Sequence, residues 1–213
     1  MSPTVAGIKI PDSKMARDLT ELIRDKEPDL LFHHSSRVFL FGALTGQRRG
    51  LRYDPELLYV GAMFHDLALT EAYRDSQLRF EVDGANAARN FLRSYGLPEE
   101  SIETVWTAIA LHTTPGIPEH MKAEVALVTA GVEMDVLGIA YDQFKAEDRE
   151  TVVAAHPRGT SFKKNIIDAF YRGMKHRPDS TFGTVNDDVL ALKDQHFQRT
   201  DFCKVILGSA WTN

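Results

Sequence analysis

The chain has 213 residues, 43% of them apolar and 26% charged, with a formal net charge of −5. That length supports one domain with a full hydrophobic core, or at most two small ones. An acidic balance with scattered Lys and Arg argues against tracking a phosphate backbone, and a single cysteine, Cys203, excludes an internal disulfide framework. The segment from Met1 to Gly7 has no basic stretch followed by an apolar one, and no apolar run is long enough for a bilayer. The expectation is a soluble cytoplasmic protein that acts on a small molecule, with neither nucleic acid nor membrane as a partner.

Periodicity predicts an all-α fold. Alternating strand-like runs bounded by hairpin turns are absent. Helices are expected near 11–27, 28–45, 55–69, 82–95, 98–113, 119–138, 142–155, 161–176, 186–195 and 200–210. Asp54-Pro55-Glu56 reads as an N-cap, a proline at the first helical position and an acid in the first turn. Ile102, Val105, Trp106, Ile109 and Thr113 repeat at helical spacing, after the stop and restart at Gly96-Leu97-Pro98-Glu99. Pro115-Gly116-Ile117-Pro118 is a break. Ser161 and Asn186 are N-cap candidates, and Phe162, Ile166, Phe170 and Met174 recur at four-residue steps. Cys203, inside the apolar run Phe202–Leu207, reads as a small buried side chain. The last helix, with Trp211, either supplies a homodimer surface, the default oligomer, or closes the core.

Three of these helices are apolar nearly all round: Leu30–Phe41, Leu57–Leu69 and Val125–Leu137. Such helices are buried. An ionised carboxylate inside one costs several kcal/mol unless it is paired. Asp66 and Asp135 therefore need a cation, strong donors or a raised pKa, and Arg37 is the one cation in the three runs. A divalent metal would satisfy both aspartates at once, with imidazoles as co-ligands. The adjacent pair His65-Asp66 points in directions about 100° apart on a helix, so it converges on an ion only at a cleft where other helices bring further ligands. A lone His-Asp pair is weak, since buried histidines are commonly hydrogen-bonded core residues and helical aspartates commonly cap or pair. The pattern His…His-Asp…Asp, each element in its own buried helix, is specific.

The motifs His34-Ser35-Ser36-Arg37-Val38, His65-Asp66-Leu67-Ala68-Leu69-Thr70, Arg79–Ala85, Leu111-His112-Thr113 and Gly131–Leu137 resemble the HD-domain metal-dependent hydrolases. Within them the chain looks most like the cyanamide hydratase group of fungi and its bacterial relatives, from about residue 5 onward and including Thr181-Phe182-Gly183. The resemblance implies a single all-helical domain. Its core would lie at about 28–140, with N- and C-terminal helices packed on it and the metal held between central helices by His34, His65, Asp66 and Asp135. It also selects His34 over His33, which periodicity alone leaves open. Ala68 stands where such relatives commonly have glycine, and its methyl would narrow the site. Two-metal relatives supply extra histidines. Here His112 is available, but Glu81 and Asp83 stand where histidine would be, so one ion is expected rather than two.

Two imidazoles and two carboxylates leave a position for water, whose pKa the ion lowers. Zn²⁺ or Fe²⁺ suits that donor set best, with Mn²⁺ and Ni²⁺ as alternatives. A proton shuttle is needed, and the candidates are His112, Glu81, Asp83 and a free oxygen of Asp66. His112 could equally cap its helix end, and Glu81 and Asp83 could serve the dipole of the helix near 82–95. Three functions follow. A hydro-lyase adding water to a small nitrile such as cyanamide, giving urea, would need a small, closed, apolar pocket walled by residues such as Phe32, Phe64, Phe80, Trp106 and Thr113. A phosphohydrolase would need cationic clamps, for which Arg37 and Arg79 are the candidates. A non-catalytic protein would keep the metal for stability.

Overall fold

Helix α2 (Asp29–Arg49) is the axis of the molecule. From Leu31 to Gly46 it is buried at almost every position, because α1 (Lys14–Lys26), α3 (Pro55–Phe64) and α6 (Ala123–Val132) pack around it. An all-round apolar helix can only be stable in such a setting. Helices α4 (Phe80–Ser94) and α5 (Glu99–Leu111) lie against one another and against α3. The computed structural model describes residues 3–211; Met1 and Ser2 of the N-terminal segment fall outside them. Among those residues the remaining helices are α7 (Ala146–Ala155), α8 (Phe162–Met174), α9 (Asn186–Lys193) and α10 (Phe202–Leu207). Among the described residues no helix is long and apolar enough to cross a membrane.

The crossing of α2 on α6 sets the site. Gly42 faces Leu127, Val38 faces Gly131, and His34 faces Asp135, an antiparallel register in four-residue steps. A Cβ at Gly131 would stand 2.1 Å from the Val38 carbonyl oxygen, and one at Gly42 would stand 2.6 Å from that of Leu127. The two glycines let the backbones touch, which brings the end of α6 onto the start of α2.

All ten predicted helices are present, with informative differences at their ends. Helix α3 stops at Phe64 rather than 69, and Asp66 lies in the break with φ −107° and ψ 3° before a 3₁₀ turn at Leu67–Leu69. The cause is local: the His65 ring nitrogen Nδ1 takes the Ala62 carbonyl at 2.7 Å, which a continuing helix would have used. Helix α6 ends at Val132, and Asp135 sits in a π-helical turn, Glu133–Leu137. Such wide turns recur at functional sites. A two-residue antiparallel hairpin, β1 (Thr4–Val5) with β2 (Ile8–Lys9), was not foreseen.

Asp54 caps α3 as expected, accepting from the amides of Glu56 and Leu57. Ser161 does not cap α8: it is left-handed at φ +60° and makes no capping bond. Asn186 is inside α9, its side chain turned to Glu81. Cys203 is exposed rather than buried, because α10 lies outside the core; Phe202, Leu207 and Trp211 are exposed as well, so this helix does not close the core.

A smaller apolar cluster of Leu31, Leu69, Phe80, Phe162, Ile166 and Leu190 joins α8 and α9 to the main core. Buried Arg177 ties this layer to the segment after Asp66. It donates to the carbonyls of Ala68, Leu78 and Gly173 and to Asp83 Oδ2 at 2.6 Å.

Candidate metal centre

His34, His65 and Asp66 are fully buried and converge. Each offers a ligand atom, and these atoms lie within 4.8 Å of one another. His34 Nε2 faces His65 Nε2 at 3.2 Å, and Asp66 Oδ2 lies 3.5 Å from the first and 3.3 Å from the second. His65 is a C-cap residue whose Nδ1–H donates to Ala62, so its Nε2 carries a lone pair. His34 Nδ1 lies 2.7 Å from Asp135 Oδ2; a carboxylate only accepts, so this proton sits on Nδ1 and His34 Nε2 is bare as well. Burial holds the His34 imidazole below its ordinary pKa, against the pull of Asp135. Two bare nitrogens at 3.2 Å repel unless a cation lies between them.

Asp66 completes that picture. Neither of its oxygens has a hydrogen-bond partner. An unpartnered buried carboxylate among bare imidazoles is the donor set of a divalent metal site, so the residues present fit such an ion. His112 stands beside it at the C-cap of α5. Its Nδ1–H donates to the Ile109 carbonyl at 2.7 Å, and its Nε2, 3.5 Å from Asp66 Oδ1, is buried without a partner.

Asp135 is placed differently from the other three ligand candidates. It lies behind His34, bound by two arginines. Arg37 is bidentate, Nε to Oδ1 at 2.8 Å and Nη2 to Oδ2 at 2.9 Å, and Arg158 donates to Oδ1. Both guanidinium groups lie over the Phe162 ring. Burial would raise the Asp135 carboxyl; His34 and Arg37 lower it instead. The remaining candidates are also accounted for. Glu81 is buried and accepts from Thr113 Oγ1 at 2.5 Å, Asn186 Nδ2 at 2.9 Å and Arg79 Nη2 at 3.0 Å. It bolts α4 to α5 and α9, and Arg79 is spent on it. Asp83 is paired with Arg177.

Of the aromatic wall candidates, Phe80 packs on the edge of His112, while Phe64 stacks on Phe91, Trp106 bonds Asn86 and Phe32 lies against Arg24. A cavity of about 370 Å³ borders His112, and Thr113 is the one wall candidate that lines it; the rest is mostly aliphatic surface from α6, α8 and α9. No Lys or Arg lines it, and Glu133 and Asp188 do. Thr129, whose buried hydroxyl has no partner, faces it too. A larger cavity of about 690 Å³, with Arg149, Arg158 and Lys163, touches Asp135 but none of His34, His65, Asp66 or His112.

Sequence reasoning missed Arg158, Thr129, Asn186 and Glu27. Glu27 is buried at the end of α1, accepts from Ser35 Oγ at 3.3 Å and leaves Oε1 unpartnered; burial, and then the charge of Asp66, pushes its carboxyl well up. No periodic signal marks it, since Glu-Pro at a helix junction reads as a solvated cap.

A sequence model described as the HD domain matches residues 31–158, the span that contains all of the cluster. No curated protein matches the chain.

Proposed function

Since this chain belongs to the HD-domain family, we propose that its buried cluster holds one catalytic divalent ion and adds water to a small uncharged nitrile, of which cyanamide is the model substrate. The observation that carries this reading is the cavity beside His112. It is small, largely apolar and free of cations, and it contains two carboxylates that would repel a phosphate. Every arginine near the cluster is already committed: Arg37 and Arg158 to Asp135, Arg79 to Glu81, Arg177 to Asp83. A phosphoryl clamp would need at least one of them free.

A bound divalent ion supplies Lewis acidity, lowering the pKa of water and polarising an electrophile. The chain supplies the rest. His34, His65 and Asp66 fix the ion's place, and burial keeps bulk water from it. In the addition a C–O bond forms, one C–N π bond breaks and the proton of water passes to the nitrile nitrogen; the isourea so formed tautomerises to urea. Glu81, which accepts from Thr113, Asn186 and Arg79, and Asp83, paired with Arg177, are poor carriers for that proton.

Incubating metal-loaded protein with cyanamide and, separately, with a panel of nucleotides and phosphomonoesters tests the reading. Urea without phosphate release is expected. Phosphate release that disappears in Asp66→Ala would assign a phosphohydrolase instead. Neither product from a metal-replete protein would leave a metal-binding protein without catalysis.

A further inference from the structure

We propose that α10 is a lid: it folds down onto the mouth of the cavity bordered by α6, α8 and α9 and closes it over a bound small molecule. The surface that covers this mouth is therefore a segment of the same chain. The use of the lid rests on the hydration reading above, while its docking does not.

The helix itself calls for a cover. Phe202, Cys203, Val205, Ile206 and Leu207 are apolar and exposed, and so is Trp211 just beyond them. Lys204 is the only charged residue of the helix. A helix apolar nearly all round belongs in a buried setting. One shorter than about 12 residues does not hold its shape in water without packing. Phe202, Val205 and Ile206 stand at i, i+3 and i+4, so they form one continuous face.

The path of the chain says what that face covers. Helix α9 walls the cavity with Asn186, Asp188 and Val189. Beyond α9 the chain turns back on it, and Arg199 Nη2 lies 2.6 Å from Asp188 Oδ1. An exposed ion pair of this kind adds little stability, but it marks where the chain runs. Phe202 follows Arg199 closely enough that the span between them is at most about 10 Å. Helix α10 therefore starts beside the cavity wall. The rim offers it a matching surface: Leu137, from the π-helical turn after α6, and Val185, at the N-cap of α9, line the cavity and are both exposed. Charge matches too, since the cavity carries Glu133 and Asp188 but no Lys or Arg to oppose Lys204. Closure of this kind excludes bulk water and commits a substrate too small to be held by many contacts.

Cys203 is the only cysteine of the chain, so the closed form can be trapped through it. In the full chain carrying Leu137→Cys, oxidation with diamide should give a disulfide to Cys203 within one molecule, a bond that needs the two Cα atoms within about 7 Å. Leu51→Cys, at an exposed apolar position beyond the far end of α2, is the control and should give none. Non-reducing electrophoresis and intact mass read the outcome. A disulfide between two molecules would assign the face of α10 to a second copy, and linkage no higher than the control would leave it without a seat at the cavity; either result overturns the lid. The linked protein should lose cyanamide hydration and regain it on reduction, and turnover unchanged by linkage would overturn the lid as well. The crosslink needs neither metal nor substrate. A chain that links as expected but never makes urea would sink the hydration reading and leave the docking of α10 standing.

Discussion

Asp66 and Asp135 are the same residue type, buried to the same degree and set against the same histidine, yet the fold treats them in opposite ways. Asp135 receives four donors, three of them from two guanidinium groups. Asp66 receives none that meets hydrogen-bond geometry. A protein can keep a buried carboxylate charged by surrounding it with its own cations or by leaving it bare for an external one. The first solution uses up the acceptors of the carboxylate, and the second leaves them open. The difference also explains why one helix break is sharp and the other wide: Asp66 sits where α3 ends and its oxygens face the histidines, whereas the π-helical turn swings Asp135 toward Arg37 and Arg158.

The contrast predicts a double dissociation. Asp66→Asn should remove metal retention and lower turnover by about a thousandfold or more, a loss of several kcal/mol of transition-state stabilisation. The metal-free variant should melt no lower than metal-free wild type, because no donor loses its acceptor. Asp135→Ala should do the reverse in kind. It strands Arg37 and Arg158 and should cost about 3–5 kcal/mol in denaturant unfolding of the metal-free chain. Equal destabilisation by the two changes would erase the distinction.

A smaller effect tests the crossing that brings the two regions together. Gly131→Ala puts a methyl into the Val38 carbonyl, forcing α2 and α6 apart, and should cost about 3 kcal/mol by overpacking. It should also weaken the ion's affinity, since His34 rides on the same register. The smallest effect is acid sensitivity on the Asp135 side. Burial, with help from His33 and Arg37, pulls the His156 imidazole down to about 4. Between about pH 6.5 and about 4 the unfolded chain takes up a proton there that the folded chain refuses, so this contribution is present above the window and lost as pH falls through it. His156 is partly exposed, so the expected loss is only about 1–2 kcal/mol. His156→Gln should flatten the slope of unfolding free energy against pH; an unchanged slope would show that the ring does not titrate in this range.

The sequence carried the helices because their apolar faces repeat at 3.6 residues, and it carried His34, His65 and Asp66 because polar groups stand out inside oily runs. It treated Asp66 and Asp135 alike for the same reason. What separates them is tertiary. Arg158 lies in the Pro157–Gly159 loop, 23 residues from the aspartate it serves, and no local pattern marks it. The end of α3 at Phe64 depends on a histidine ring claiming a carbonyl, a choice that helical propensity does not see. Cys203 illustrates the opposite limit: an apolar run predicts burial, but every residue of α10 is exposed.

The most direct test is elemental analysis of purified wild-type protein beside Asp66→Asn, both desalted in metal-free buffer. One equivalent of a divalent transition metal in the wild type, and essentially none in the folded variant, is the expected result. A folded wild-type protein that holds no ion, or a variant that keeps its full equivalent, would contradict the claim that a cation is what holds Asp66 charged in the core.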